Sequence, residues 1–216
     1  MGALDWLAKA FFVFSFCITL NHTTARAHPH VWIDLRSTVV LNAVGRVTAV
    51  EQQWLFDPLY TVFAIEGLPS SPPAQAKLLR SLATINLQRM HSHEYFTEVR
   101  VGGTKAALGV VSDFDSELRG GRLWMRFVVP LITPIDPISH NVEFAVYDPT
   151  YYIEILHLRD DVISFRGGKA GGCYGQIVPP NPTTEAIVLA RAMDRDALPD
   201  ATLGKVFAER VQIKCR

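Results

Sequence analysis

Apolar and polar residues alternate along much of this chain, and this alternation most constrains how it can fold. It is clear in the segments VWIDLRSTVVL, RLWMRFVVPL and HNVEFAVYD. A period of two is typical of a half-buried strand, because successive side chains point to opposite faces. Seven or more segments follow the pattern, without regular strand–helix alternation. The pattern therefore predicts a mainly β fold, an antiparallel β-sandwich-like single domain with two or three short helices; an α+β layer is the alternative.

Turn sequences separate the predicted strands. Residues 42–45 (NAVG) follow the first strand and predict a hairpin with RVTAVEQQWLF, and the pair Gly102-Gly103 predicts a second tight turn. Asp57, Asp136 and Asp148 each precede a proline. Because Asp-Pro is common in turns, we expect a turn at each.

Three helices are predicted. The longest begins after a cap at Ser70 or Ser71, with Pro72-Pro73 in its first turn, and runs to about Met90. Its apolar stripe is expected to consist of Leu78, Leu82 and Ile85, with Leu79 and Ala83 beside them. Shorter helices are expected over Thr184–Met193 and Leu203–Glu209, before a final strand RVQIKC.

The first 27 residues have the parts of a secretory signal. Lys9 precedes the apolar run Ala10–Leu20, and Ala25 and Ala27 flank a cleavage point. We therefore expect export, cleavage after Ala27 and a mature domain of residues 28–216. The run is about 11 residues long, whereas a membrane-spanning helix needs about 20, so the processed protein is not expected to be embedded in a membrane. Retention of the run as an uncleaved anchor is the alternative.

The charge of the mature chain is close to balanced. The signal contains Lys9, Arg26 and Asp5, so the 21 basic and 21 acidic residues of the whole chain become 19 and 20. A net charge of −1 gives no electrostatic reason to expect nucleic acid or an anionic membrane as a partner.

Two cysteines remain after the signal, Cys173 and Cys215. Two thiols in an exported chain most often pair, and closing this loop would stabilise the protein by roughly 3–4 kcal/mol. The alternative is a two-thiolate metal site.

His28 and His30 are the leading candidates for metal ligands. They are separated by one residue in a segment expected to be extended, so their side chains lie on one face roughly 7 Å apart, a spacing that one metal ion can bridge. Cleavage after Ala27 would add the amine of His28, which with its imidazole suits Cu(II), Ni(II) or Zn(II). Pro29 excludes a site that uses the deprotonated amide of the second residue, because proline has no amide hydrogen.

His91, His93 and Glu94 form a second candidate metal site. Two imidazoles and a carboxylate within four residues can bind a metal if the segment is extended and the three groups converge. A polar connector between helix and strand is the alternative. His140 and His157 are expected to have structural roles.

Catalytic motifs are not apparent in the sequence. It contains no Gly-x-Ser-x-Gly, no His-Glu-x-x-His and no phosphate-binding glycine loop. We therefore expect a protein that is not an enzyme. A paired-histidine copper site, or zinc with an open coordination position, keeps a metal-dependent enzyme as an alternative.

Six segments, in order, resemble a known bacterial exported family: AHPHVWIDL, QWLFDPLYT, EYFTEVRVGG, PLITPIDP, YDPTYYIE and FAERVQIKC. The family is the domain of unknown function number one thousand and seven, labelled as the periplasmic component of an uncharacterised ABC-type transport system. By resemblance, its motif residues are His28, His30, Trp32, Asp57, Tyr60, Asp148, Tyr151 and Tyr152. The resemblance also supports pairing of Cys173 with Cys215, and it does not include His91 and His93.

The resemblance implies a periplasmic accessory protein linked to transition-metal transport, with zinc, nickel/cobalt or copper as the metal. An inner-membrane metal transporter or ABC permease is the expected partner. The residues and the resemblance together predict a binding protein that takes a divalent metal through its N-terminal histidines. A structural partner of a membrane transporter, with no ligand of its own, is the alternative.

Overall fold

Strands dominate the structure, a computed structural model that describes residues 29–69, 71–157, 163–168, 172–192 and 202–215. The strands in these ranges are β1 (Val31–Leu41), β2 (Val47–Phe56), β3 (Thr97–Val101), β4 (Thr104–Lys105), β5 (Phe114–Arg119), β6 (Arg122–Ile135), β7 (Val142–Val146), β8 (Ile153–His157), β9 (Ile163–Gly167), β10 (Tyr174–Val178) and β11 (Arg210–Lys214). The helices are α1 (Pro58–Ala64), α2 (Pro72–Met90), α3 (Thr184–Ala192) and α4 (Leu203–Phe207). The predicted mainly β fold with a few helices is confirmed. None of the helices in the described ranges is long and apolar enough to span a membrane.

The strands form two sheets. The first has the order β5-β6-β2-β1-β8, with β9 also paired to β1, and the second has the order β10-β11-β7-β3-β4. Pairs within the second sheet are antiparallel. In the first sheet, β1 pairs in parallel with β8 along its first half and with β9 along its second half. The first sheet is therefore mixed, where the sequence predicted antiparallel pairing.

The predicted hairpins follow from local turn chemistry. Between β1 and β2, the side chain of Asn42 accepts hydrogen bonds from the N–H groups of Val44 and Arg46, and Gly45 has a φ of 81°. Gly102 and Gly103 join β3 to β4 with φ values of 56° and 85°. Two consecutive positive φ values suit the right-handed twist of the flanking strands, and glycine adopts them without steric cost.

The hydrophobic core draws on both sheets and on α2. Trp54 of β2, Phe127 of β6 and Phe144 of β7 are among its largest fully buried side chains. A buried polar bridge crosses the same layer: the Gln52 amide donates to Thr97 Oγ1 at 2.6 Å and accepts from Trp54 Nε1 at 2.8 Å. Each buried polar group here has a partner, so the two sheets are joined by polar as well as apolar contacts.

Helix α2 has the predicted bounds but buries a different face. Leu79, Ala83, Leu87 and Met90 are its buried residues, whereas Leu78 and Ile85 are 45% and 46% exposed. The predicted stripe was therefore wrong by about one position. Apolar side chains surround more than half of this helix, so its own sequence does not select the face that packs against the sheets.

The C-terminal part of the chain agrees with the predicted order of elements. Helices α3 and α4 cover most of the predicted segments, β11 follows as expected, and Met193 lies outside the described residues. Cys173 and Cys215 form the predicted disulfide. The disulfide lies beside the first pair of β10 and β11, Tyr174 and Lys214, and therefore fastens the end of the second sheet.

We predict that Cys215→Ser lowers the free energy of unfolding by about 3–4 kcal/mol, because the unfolded chain is no longer cross-linked. Urea unfolding of the oxidised proteins measures the difference. Wild-type protein unfolded in the presence of a reductant is the control, and it should match the variant. A variant as stable as the oxidised wild type would contradict the prediction.

Candidate functional site

Three sequence motifs meet at one end of the first sheet. Because β2 is antiparallel to β1, the end of β2 lies beside the start of β1, and Ile33 pairs with Phe56. Because β8 is parallel to β1, their starts also lie side by side, and Val31 pairs with Ile153. The segments HPHVW, FDPLY and YDPTYY, which lie far apart in sequence, are therefore neighbours in the structure.

Asp57 ties two of these segments together. Its Oδ2 accepts the N–H of Trp32 at 3.0 Å, and its Oδ1 accepts the N–H of Tyr60 at 2.8 Å. Its own N–H donates to the carbonyl of Trp32 at 2.9 Å. Asp57 is thus the N-cap of α1, with Pro58 in the first turn, and also holds the start of β1.

Two aromatic pairs lie at this end of the sheet, His30 with Tyr152 and Tyr60 with Phe56. The N–H of His30 donates to the carbonyl of Tyr152 at 2.9 Å, and the two ring centroids are 4.8 Å apart. Tyr60 stacks on Phe56 with 4.9 Å between ring centroids. Burial raises the pKa of Tyr60, and the negative charge of Asp57 and the nearby Tyr152 raise it further. Tyr60 therefore stays a neutral phenol under ordinary conditions.

Asp148 organises the turn that leads into β8. Its buried carboxylate accepts hydrogen bonds from the N–H groups of Thr150 and Ile153, at 2.9 and 3.0 Å. Tyr151 has a φ of 59° within this turn. The bonds to Asp148 bend the backbone over residues 150–152, so β8 begins only at Ile153.

Tyr151 faces away from this turn toward the C-terminal helices. Its ring stacks on Phe207 with 4.1 Å between centroids, and its hydroxyl donates to Glu154 Oε1 at 2.9 Å. Burial raises the pKa of Tyr151, and the Glu154 carboxylate raises it further. Tyr151 thus acts as a neutral donor that orients the carboxylate of Glu154.

A cleft of about 450 Å³ opens beside these motifs. It is lined by Pro29, Trp32 and Glu154, and by Ile187 and Arg191 of α3. Its volume is within the range of small-ligand sites. Two other concavities in the described ranges are larger, at about 500 and 540 Å³, but Trp32 and Tyr151, which line this cleft, line neither of them. We take this cleft as the candidate site because the motif residues Trp32 and Tyr151 line it.

The segment that contains His91, His93 and Glu94 is not extended. It forms a 3-10 turn over His91–Phe96 in which Glu94 and Tyr95 have positive φ values. The ring of His91 contacts Tyr95, and the ring of His93 lies 6.1 Å from that of Phe96. The Glu94 carboxylate forms an ion pair with Lys105. The structure therefore does not bring the three side chains together.

The structure describes only part of the predicted metal ligands. Within the described ranges, no group of three or more His, Cys, Asp or Glu side chains is placed to hold a metal ion. His28 lies outside those ranges, together with the predicted signal. The N-terminal site therefore stays a prediction, to which the described chain contributes the imidazole of His30. An amine and two imidazoles form a donor set that fits zinc, copper or nickel.

Ser37, His157 and Glu209 have the connectivity of a hydrolytic triad but not its exposure. His157 Nε2 lies 2.9 Å from Ser37 Oγ, and its Nδ1 lies 2.9 Å from Glu209 Oε2. Ser37 is only 1% exposed and faces the core from the middle of β1. A nucleophile must reach its substrate, so this group is a polar bridge between the sheets, in agreement with the structural role expected for His157.

Comparison with known proteins shows the family. Residues 13–215 match the profile described as Protein of unknown function (DUF1007). The chain belongs to this family. It is 23% identical over 191 residues to an "Uncharacterized protein" from Haemophilus influenzae, covering 88% of this chain and 91% of the relative. It is also 26% identical over 103 residues to an "Uncharacterized 15.5 kDa protein in trpE 3'region" from Spirochaeta aurantia, covering 42% and 73%. No solved structure gives a significant match.

Two features of the site were missed from the sequence. Helix α1 was treated as a turn, although Asp57-Pro58 is a recognisable N-cap followed by proline in the first turn. Glu154 was not selected as a site residue, because nothing near it in sequence marks it; it lies beside Trp32 through the pairing of β1 with β8.

We predict that Asp57→Ala lowers the free energy of unfolding by about 2 kcal/mol, because the cap of α1 and the bond to Trp32 are both lost. Asp57→Asn keeps a good capping side chain and should lose less. Both variants should lower the pKa of Tyr60, because the negative charge that disfavours the phenolate is gone. Urea unfolding and alkaline titration of tyrosine absorbance measure the two effects.

Asp136→Ala is the matched control, since Asp136 also precedes a proline and accepts bonds from Ile138 and Ser139 in an exposed turn. It should cost less stability and leave Tyr60 unchanged. Equal losses in Asp57→Ala and Asp136→Ala would contradict the role assigned to Asp57.

Proposed function

We propose that this protein is an exported, periplasmic accessory protein that binds a divalent transition metal through His28 and His30. In this proposal it exchanges the metal with an inner-membrane transporter or ABC permease. The resemblance to an ABC-associated periplasmic family suggested this role. The observation that carries it is the convergence of the three motifs at the start of β1, where His30 is held against Tyr152.

The surroundings of His30 support a binding site at this end of the sheet. The backbone of His30 is held by Tyr152, and that of Trp32, two residues on, is held by Asp57, so the start of β1 is fixed before a ligand arrives. Pro29, which follows His28 in sequence, lines the cleft. The disulfide is compatible with an exported protein.

A binding role is favoured over a catalytic one. The nearest motif carboxylates, Asp57 and Asp148, each accept two backbone N–H bonds. A carboxylate whose oxygens are engaged in this way positions the backbone and is not free to act as a general base for bound water. We therefore assign no catalytic step to the site.

We predict that processed protein, with His28 as its first residue, binds Zn²⁺ or Cu²⁺ more tightly than protein with one alanine before His28. The added residue moves the amine away from the imidazole and breaks the chelate. His30→Ala should also weaken binding, and affinity should fall on acidification because neutral imidazoles are required. Competition with a chromogenic chelator measures the affinities. Equal affinity in the extended protein would exclude the amine as a ligand, and normal binding by His30→Ala would place the site elsewhere.

A second candidate function, a structural partner of a membrane transporter, is favoured by the exposed face of α1. Leu59, Val62 and Phe63 are 77%, 68% and 76% exposed, while Thr61 on the other side of the helix is buried. Large apolar side chains grouped in this way are typical of an interaction surface. Asp57 joins the start of α1 to Trp32, so this surface lies at the same end of the sheet as His30.

We predict that Leu59→Ser with Phe63→Ser removes co-purification of an inner-membrane transport subunit from native membranes. Both side chains are exposed, so folding stability should change little. Ile138→Ser is the matched control, because Ile138 is 73% exposed but lies in the turn after β6. Loss of the subunit with the control, or its retention with the double variant, would contradict α1 as the docking surface.

A further inference from the structure

The cleft beside the motifs lies on the outer face of the first sheet. Trp32 of β1 and Glu154 of β8 are paired across the two strands, and both line the cleft. Their neighbours along the strands, Val31, Ile33 and Ile155, belong to the hydrophobic core. Because successive residues of a strand point to opposite faces, Trp32 and Glu154 lie on the face away from the core. Trp32 is 45% exposed and therefore accessible to a ligand.

The helices that bound the cleft are held against the turn before β8. Ala190 of α3 and Leu203 of α4 pack with Tyr151 in a small buried cluster. The N–H of Gly204 donates to the carbonyl of Pro149 at 2.9 Å, and the backbone approaches so closely there that no side chain would fit at Gly204. The cleft is therefore formed by packed elements before a ligand binds, which lowers the entropy lost on binding.

Two opposite charges line the cleft without forming an ion pair. Among the residues that the structure describes, Glu154 and Arg191 are the charged ones in the lining, and neither has an ion-pair partner in those ranges. The Oε1 of Glu154 accepts the hydroxyl of Tyr151 at 2.9 Å, which orients the carboxylate and leaves lone pairs for a ligand. A cleft that carries both charges in this way is complementary to a ligand that also carries both.

Much of the remaining lining is apolar or aromatic, and it includes Trp32, Pro182, Ile187 and Phe207. Apolar walls of this kind stabilise a hydrocarbon group that leaves water. The face of a tryptophan ring also attracts an ammonium group. Trp32 is the strand partner of Glu154, so an aromatic ring and a carboxylate, the two groups that recognise an organic cation, are neighbours here.

We propose that this cleft binds a small zwitterion with an apolar body, namely a free amino acid with an aromatic or large aliphatic side chain. Its ammonium group lies between the carboxylate of Glu154 and the ring of Trp32. Its carboxylate pairs with Arg191, whose guanidinium can donate two parallel hydrogen bonds. Its side chain packs against Ile187 and Phe207. This site is separate from the proposed metal site and does not require a metal.

The test is isothermal titration calorimetry with L-phenylalanine, L-leucine and glycine. EDTA is present throughout, so that metal binding does not contribute. We expect L-phenylalanine and L-leucine to bind, and glycine to bind about 10- to 100-fold more weakly because it has no apolar side chain to bury. Absence of binding by L-phenylalanine and L-leucine, or equal binding by glycine, would overturn this proposal and would leave the proposed metal site untouched.

Two variants test the assigned charges. Glu154→Gln and Arg191→Gln should each weaken binding of L-phenylalanine by about 10- to 100-fold, because each removes a charged hydrogen-bond partner. Glu117→Gln is the matched control for the first, since Glu117 is exposed and paired with Arg119. Arg89→Gln is the matched control for the second, since Arg89 is also an exposed residue in the last turn of a helix. Equal weakening in the controls would overturn the assignment.

Ligand analogues separate loss of one contact from a general disturbance of the fold. Wild-type protein should prefer L-phenylalanine both to 3-phenylpropionate, which has no ammonium group, and to phenylethylamine, which has no carboxylate. Glu154→Gln should lose most of the first preference and keep the second. Arg191→Gln should lose most of the second and keep the first. Retention of both preferences in both variants, or equal loss of both in each, would overturn the roles assigned to Glu154 and Arg191.

Discussion

The pairing of β1 along both of its edges is the constraint on which the rest of the structure depends. One edge takes β2, which follows directly in sequence, and the other takes β8 and β9, which come more than 100 residues later. A parallel partner cannot be joined by a tight turn, so the intervening chain must cross over and return. That intervening chain forms α2 and most of the second sheet. The same pairing brings the starts of β1 and β8 and the end of β2 to one place.

Polar groups as well as apolar ones join the two sheets. Gln52 connects β2 to Thr97 of β3, and His157 connects Ser37 of β1 to Glu209 just before β11. Such groups are costly to bury unless they are bonded, and here their bonds fix how one sheet lies on the other. The Ser37–His157–Glu209 group therefore has the connectivity of a catalytic triad for a structural reason. The burial of Ser37, rather than the distances within the group, identifies it as a structural bridge and not a catalytic triad.

Both proposed surfaces lie at the motif end of the first sheet. Asp57 connects them physically, since it caps α1 and also bonds the backbone of Trp32. A partner that docks on the apolar face of α1 would lie near the cleft that contains Glu154. The proposed metal binding and the proposed transporter docking would therefore both take place at this end of the sheet, and the variants of His30 and of Phe63 can distinguish them.

The sequence by itself determined the local elements, because their signals are local. Alternation predicted most strands, residues 42–45 and the pair Gly102-Gly103 predicted the hairpins, and the cysteine count predicted the disulfide. Only the tertiary structure decided which residues meet. The buried face of α2 shifted from Leu78 to Leu79 because neighbouring sheets, and not the helix, select the face. Glu154 lies at the cleft because β8 pairs in parallel with β1 across a long separation in sequence. Glu94 does not, because it lies in a turn with left-handed backbone conformation. Neither feature has a signature in the adjacent residues.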